Sequence, residues 1–200
     1  MAEHLSAKPR TKSKLVSVME GQVPVMGDHK AITCIDIACT SHFLNLSAAN
    51  SNEPIVESLT YGLTDAGVLV VFDNNKVLEK WVDCKMNGGA CLHVYQSMGE
   101  DGYIICGGSN GVGRFFSPVT LKYLGSLPKP DALNSGQHEV SADETLIYPS
   151  IVAARGMNQY VFALYSNKHV IIWDITDFKN IQRISTQMFH RDAVWGVKVN

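Results

Sequence analysis

The segment Gly107-Gly108-Ser109-Asn110-Gly111-Val112-Gly113 comes nearest to a phosphate-binding loop, with Gly108 and Gly113 at the spacing of its glycines. Such a loop continues with Lys and then Ser or Thr, and a helix N-terminus holds the phosphates. Arg114-Phe115 follows instead, and the next element reads as a strand. The spacing also misses the dinucleotide-binding pattern, so the segment reads as a hairpin turn built on Asn110-Gly111. The seven histidines (His4, His29, His42, His93, His138, His169 and His190) never stand three or four residues apart, as a helical metal site requires. The five cysteines (Cys34, Cys39, Cys84, Cys91 and Cys106) include no pair at the spacing of a zinc or redox motif, and read as reduced residues. Asp174 and Asp177 stand close together but read as a hairpin. No Ser–His–Asp, Cys–His or paired-carboxylate arrangement emerges. The expectation is no catalytic residue, no metal and no cofactor.

The elements that carry these residues are short β-type runs between turn signals, and no long stretch keeps a 3.6 period. The runs fall into groups of four. The first group is Ile32–Ala38, Ser58–Leu63, Val68–Asp73 and Lys76–Val82. The second is Ala90–Gln96, Gly102–Gly107, Val112–Phe116 and Leu121–Leu127. The third is Ile151–Arg155, Gln159–Tyr165, His169–Asp174 and Ile181–Thr186, and Ala193–Val199 begins a fourth.

The third runs are similar to one another. Ala66–Asp73, Asn110–Ser117 and Asn167–Asp174 each place a turn residue, a short strand, an aromatic residue and a small polar residue in that order. Phe72 and Phe116 are 44 residues apart, and Phe116 and Trp173 are 57 apart. A period of ~40–45 residues with four strands is that of a propeller blade. An insertion over residues 126–149 accounts for the longer interval. Trp173-Asp174 is the complete Trp-Asp dipeptide of such a repeat. Phe189-His190 and Gly27-Asp28-His29 stand where a blade-entry Gly-His would stand, each ahead of an apolar run. The predicted fold is all-β: an incomplete WD40-type β-propeller of three four-stranded blades, about 31–84, 90–127 and 150–188, with the first strand of a fourth at 193–199. Blades bury their faces on each other, so Phe72, Phe116, Trp173 and Trp195 are the predicted blade core, and His29 and His190 the blade-entry residues. Three blades and one strand do not close a ring. The chain ends inside a predicted strand, so further blades of a longer chain, or self-association, are expected to close it.

Composition agrees with this reading. Two hundred residues suit roughly one domain. Hydrophobic residues make up 46% and charged residues 18%, which excludes a disordered chain. The longest apolar runs, such as Gly67–Phe72, fall far short of the ~20 residues of a spanning helix, and no secretory signal is apparent. The net charge of −2 excludes a whole-domain nucleic-acid footprint. The expectation is a cytoplasmic protein that binds neither nucleic acid nor membrane.

Leu78-Glu79-Lys80-Trp81-Val82, Cys91-Leu92, Arg114-Phe115-Phe116, Tyr123–Pro130, Tyr148-Pro149, Ile171–Ile175, Phe189-His190 and Val194–Val197 follow one another in an order that resembles a known family. It is the WD-repeat scaffold family of mitogen-activated protein kinase-binding protein 1 and its spindle-pole, microcephaly-associated paralogue. The resemblance covers about residues 56–199 and falls on part of the first propeller. It implies a non-catalytic scaffold that binds protein kinases of the c-Jun N-terminal kinase cascade or centrosomal proteins, in the cytoplasm and at the centrosome or spindle pole. A generic WD-repeat subunit of another complex is the alternative, and a propeller-type hydrolase a further one. Well-formed repeats of this kind carry Asp before the third strand. Ala66, Asn110 and Asn167 stand there instead, which implies an altered buried hydrogen-bond relay.

Two segments are candidates for contact with partners. The insertion 126–149 carries Lys129, Asp131, Glu139, Asp143 and Glu144, and loops of this length often serve function. Residues 1–30 read as an irregular tail whose Lys8, Arg10, Lys12 and Lys14 precede Leu15-Val16-Ser17-Val18. That pattern resembles a kinase-docking motif or a nuclear-import cluster, and equally suits a solvated tail.

Overall fold

The computed structural model describes residues 32–42, 55–73, 75, 77–96, 102–133, 146–188 and 198. Twelve strands lie within them, β1 (Ile32–His42), β2 (Ile55–Thr64), β3 (Val68–Phe72), β4 (Leu78–Asp83), β5 (Gly89–Tyr95), β6 (Tyr103–Gly108), β7 (Gly113–Phe116), β8 (Tyr123–Ser126), β9 (Ile151–Met157), β10 (Tyr160–Tyr165), β11 (Val170–Asp174) and β12 (Gln182–Gln187). They form three four-stranded antiparallel sheets, each in sequential order. The sheets do not close into a ring. The tail over 1–30 and the strand predicted at Ala193–Val199 lie outside the described residues, apart from Lys198.

Local chemistry sets the strand limits. Asn110 (φ 55) and Gly111 (φ 68) both occupy the left-handed region, as a tight hairpin between right-twisted strands requires. The turn consumes Ser109–Gly111, so β7 begins one residue later than its apolar run. In the corresponding turns Gly67 (φ 76) and Lys168 (φ 71) take the left-handed conformation. Asn167, the turn residue of the third repeat, instead accepts the His169 N–H on its side-chain oxygen at 3.3 Å. The predicted strand Leu121–Leu127 is shorter at both ends. Leu121 has φ 54, and its N–H closes a turn onto Ser117 O at 2.9 Å, so its side chain leaves the ladder and enters the core.

Each sheet has an apolar face toward its neighbour. Leu59, Tyr61, Leu63, Leu69, Val71 and Val82 of the first sheet pack against Leu92, Val94, Ile104, Cys106, Phe116 and Leu121 of the second. The opposite face of the second sheet carries Cys91, Tyr103, Ile105 and Phe115. It packs against Ile151, Ala154, Val161, Ala163, Ile171 and Trp173 of the third. Alternation along β7 produces this arrangement, since Phe115 and Phe116 point to opposite faces. A third cluster joins Val68, Val70 and Trp81 on the far face of the first sheet, with Phe72 and Leu78 packed beside it.

The turn before each outer strand extends the contact to the preceding sheet. Leu121, between β7 and β8, joins the cluster with the first sheet. Phe178, between β11 and β12, packs on Tyr103 and Phe115 of the second, with ring centroids 6.0 and 5.1 Å away. Gly125 permits this approach, because a Cβ there would run into the Phe178 carbonyl. Phe116→Ala opens a cavity between the first two sheets and is expected to destabilise the chain by about 3–5 kcal/mol, read from the midpoint of urea unfolding.

Candidate functional site

The described arms of the insertion, 126–133 and 146–149, are both anchored. The Leu127 N–H bonds Gly113 O at 2.9 Å, which fixes the start. Pro130 lies beside Gly111, where a Cβ would meet its ring. The Tyr148 N–H donates to Asn110 Oδ1 at 3.0 Å, so the hairpin asparagine also holds the returning arm. The Leu133 N–H donates to Ile147 O at 2.8 Å and ties the arms together. Leu133 and Ile147 are 54% and 57% exposed, which places two apolar side chains at the surface beside this tie.

Of the charged insertion residues singled out in the sequence, two are described. Lys129 places its ammonium 4.2 Å from the centre of the Tyr148 ring, a cation–π contact between the arms. Asp131 accepts from Arg183 of β12 at 3.1 Å. Both charges therefore brace the loop, and the pairs are exposed, so each contributes little to stability. Glu139, Asp143 and Glu144 lie outside the described residues, as do Trp195, His29 and His190.

Phe116 and Trp173 occupy the same position in successive blades, each facing the preceding sheet. Phe72 holds that position in the first sheet, half-buried against residues of its own sheet among those described. Trp173 Nε1 and the Tyr165 hydroxyl are buried without a hydrogen-bond partner among the described residues. Cys84, Cys91 and Cys106 are buried, and no disulfide joins them among the described residues. The Asp174 and Asp177 carboxylates close turns, accepting from Thr176 and Lys179 N–H groups at 2.9 Å each. Hydrogen bonds from Thr176 hold Asp174 below the usual carboxylate range. No group of three metal-ligating side chains occurs among the described residues, and no helix there is long and apolar enough to cross a membrane.

Polar contacts between the first two sheets escaped the sequence reading. Asp36 Oδ2, on β1, accepts the Val94 N–H of β5 at 2.8 Å and lies 3.1 Å from His93 Nδ1. The side chains are 30% and 18% exposed, so water screens the pair only in part. The Tyr61 hydroxyl donates to Pro118 O at 3.3 Å, and Lys80 Nζ to Val119 O at 2.6 Å. Burial, with Glu79 nearby, raises the Tyr61 hydroxyl to about 12, so it stays protonated and can keep donating. The available signal was an Asp between Ile35 and Ile37 and a His between Leu92 and Val94. A polar residue inside an apolar inner strand needs a partner, but its spacing does not name one.

No family model matches the chain. It is 29% identical to mouse (Mus musculus) mitogen-activated protein kinase-binding protein 1 over 149 residues, 70% of this chain and 10% of that protein. It is 30% identical to pig (Sus scrofa) WD repeat-containing protein 62 over 149 residues, 70% of this chain and 9% of that protein. That is the family the residues resembled. The chain therefore spans about a tenth of the length of these relatives. Among solved structures, the WD40 repeats of RRP9 match with a TM-score of 0.53 at 13% identity, over 85% of this chain and 42% of that one. A computationally designed protein, Ika4, matches with a TM-score of 0.55 at 16% identity, over 90% of this chain and 88% of that one. The architecture is a WD40-type propeller, and it is incomplete.

In this propeller Asp36 bridges adjacent inner strands. Asp36→Ala is expected to raise the amide exchange rate of Val94 on the order of tenfold, the size of a lost hydrogen bond to a charged group. The amide of Ile105, on β6, should change much less. Hydrogen–deuterium exchange read residue by residue checks both.

Proposed function

We propose that the chain is part of a non-catalytic protein-interaction scaffold that works by presenting the rim and the grooves between its blades to other proteins. The observation that carries this reading is the similarity, over 70% of the chain, to two much longer proteins, one named as WD repeat-containing and the other for binding a mitogen-activated protein kinase. The geometry supports it. Lys129, Leu133 and Ile147 sit on anchored arms of the insertion, and rigid presentation lowers the ordering cost of binding.

The partners proposed are protein kinases of the c-Jun N-terminal kinase cascade or centrosomal proteins, with the chain in the cytoplasm and at the centrosome or spindle pole. The resemblance supports these finer assignments. Exposed Leu133 and Ile147, at the foot of the insertion, are the proposed contact residues.

The test is proximity labelling in cells with the full natural protein, wild type and carrying Leu133→Asp with Ile147→Asp. Labelling of kinase-cascade or centrosomal proteins that falls several-fold in the double variant, at equal protein level, is expected. Labelling of an unrelated complex would favour a generic WD-repeat subunit and overturn the finer assignment. Unchanged labelling in the variant would remove the insertion from the proposed interface.

A further inference from the structure

One side chain between the first two blades has the wrong chemistry for its place. Arg114 stands two residues before Phe116 on β7. Val70 stands two residues before Phe72 on β3, and Ile171 two residues before Trp173 on β11. In those sister strands the position is aliphatic and closed off, with exposures of 0% for Val70 and 1% for Ile171. Blade 2 places a guanidinium where its neighbours place hydrocarbon.

Arg114 has no partner that explains it. It is half-buried, its Nε is fully buried, and it makes neither a hydrogen bond nor an ion pair among the described residues. Asp83 at the end of β4 senses its charge. Burial pushes the Asp83 carboxyl up, but hydrogen bonds from Lys85, then the charges of Lys85 and Arg114, hold it below the usual range. That carboxylate is already engaged, however. Lys85 Nζ binds Asp83 Oδ2 at 2.9 Å, and the Lys85 N–H binds Oδ1 at 2.7 Å. One acid thus faces two bases.

The surroundings suit an oxyanion. Ser126 lies opposite Arg114 in the β7–β8 ladder, and its hydroxyl lies 2.8 Å from the Tyr123 hydroxyl. Tyr123 and Ser126 are both exposed. A guanidinium with unused N–H groups matches the planar fork of a carboxylate or the face of a phosphate, and it holds its charge where an ammonium would lose it. A half-buried charge without a partner is costly, and an aliphatic residue would avoid that cost, as in the sister blades.

We propose that Arg114, with the Tyr123–Ser126 hydroxyls beside it, binds an acidic side chain of a protein partner in the groove between the first and second blades. The site deepens the scaffold reading and rests on it. It supplies one oxyanion contact on the second blade, beside the start of the insertion.

The test needs no protein partner, so it can fail while the labelling experiment succeeds, and the reverse. The Nε–H signal of Arg114 in a nitrogen-15 labelled chain is followed by NMR during titration with inorganic phosphate and, separately, with a poly-glutamate peptide. A saturable shift with either probe is expected, weakening as sodium chloride is added. Movement with poly-glutamate supports an acidic partner, and movement with phosphate alone supports a phosphorylated one. In the Arg114→Leu chain the affinity for the effective probe should fall at least about tenfold, with an unchanged or higher melting temperature. Arg114→Lys should fold and bind more weakly than wild type, since it loses the planar fork. An Nε–H signal that neither probe moves overturns the proposal, whatever the variants do. So does an Arg114→Leu chain that binds either probe as wild type does.

Discussion

A four-stranded sheet with apolar residues on both faces cannot stand alone in water, and every feature of this chain follows from that constraint. Burying apolar surface contributes roughly 25 cal/mol per Å², or about 1.5–3 kcal/mol for a fully buried Leu or Phe side chain, more than an exposed ion pair such as Asp131–Arg183 contributes. The middle sheet shows the rule most fully. Leu92, Val94, Ile104, Cys106 and Phe116 face one neighbour, and Cys91, Tyr103, Ile105 and Phe115 face the other. Stability in such an array is therefore a property of interfaces between sheets as much as of the sheets themselves.

The same constraint explains where polar groups are tolerated. Asp36, Tyr61 and Lys80 all reach across the first interface, and each finds an acceptor or donor on the second blade. They tie inner strand to inner strand and outer turn to preceding blade, around an apolar centre. Arg114 departs from this pattern, because its side chain makes no hydrogen bond among the described residues. The Trp173 indole and the Tyr165 hydroxyl are also unpartnered there, but they are neutral. A full charge at a position that the sister strands fill with hydrocarbon marks Arg114 as a recognition group.

The rim shows how local turn chemistry serves position. Asn110 closes a hairpin through its left-handed backbone and, with the same side chain, holds Tyr148 of the insertion. Lys129 and Asp131 are spent within the described arms of the insertion and the neighbouring strand. The exposed residues nearest the tie, Leu133 and Ile147, are apolar. Charge caught attention in the sequence because it is visible there. Which charges are already satisfied is visible only once the chain is folded.

Blade architecture was legible in the residues because it rests on local rules. Alternating apolar runs, turn dipeptides and the recurring aromatic before a polar residue are set within ten residues of each other, and they located strands in all three blades. Tertiary structure alone decided which face each residue served and what it met there. Leu121 leaves its strand because its backbone turns left-handed, and Phe178 packs on the preceding blade because Gly125 leaves room. Asp36 finds Val94, 58 residues away, and the Arg114 Nε–H finds no acceptor among the described residues. Such pairings depend on the register between sheets, and that register is fixed by packing over long sequence separations. A one-residue shift in a strand exchanges its two faces, so only the folded chain could show which polar residue is matched and which is left for a partner.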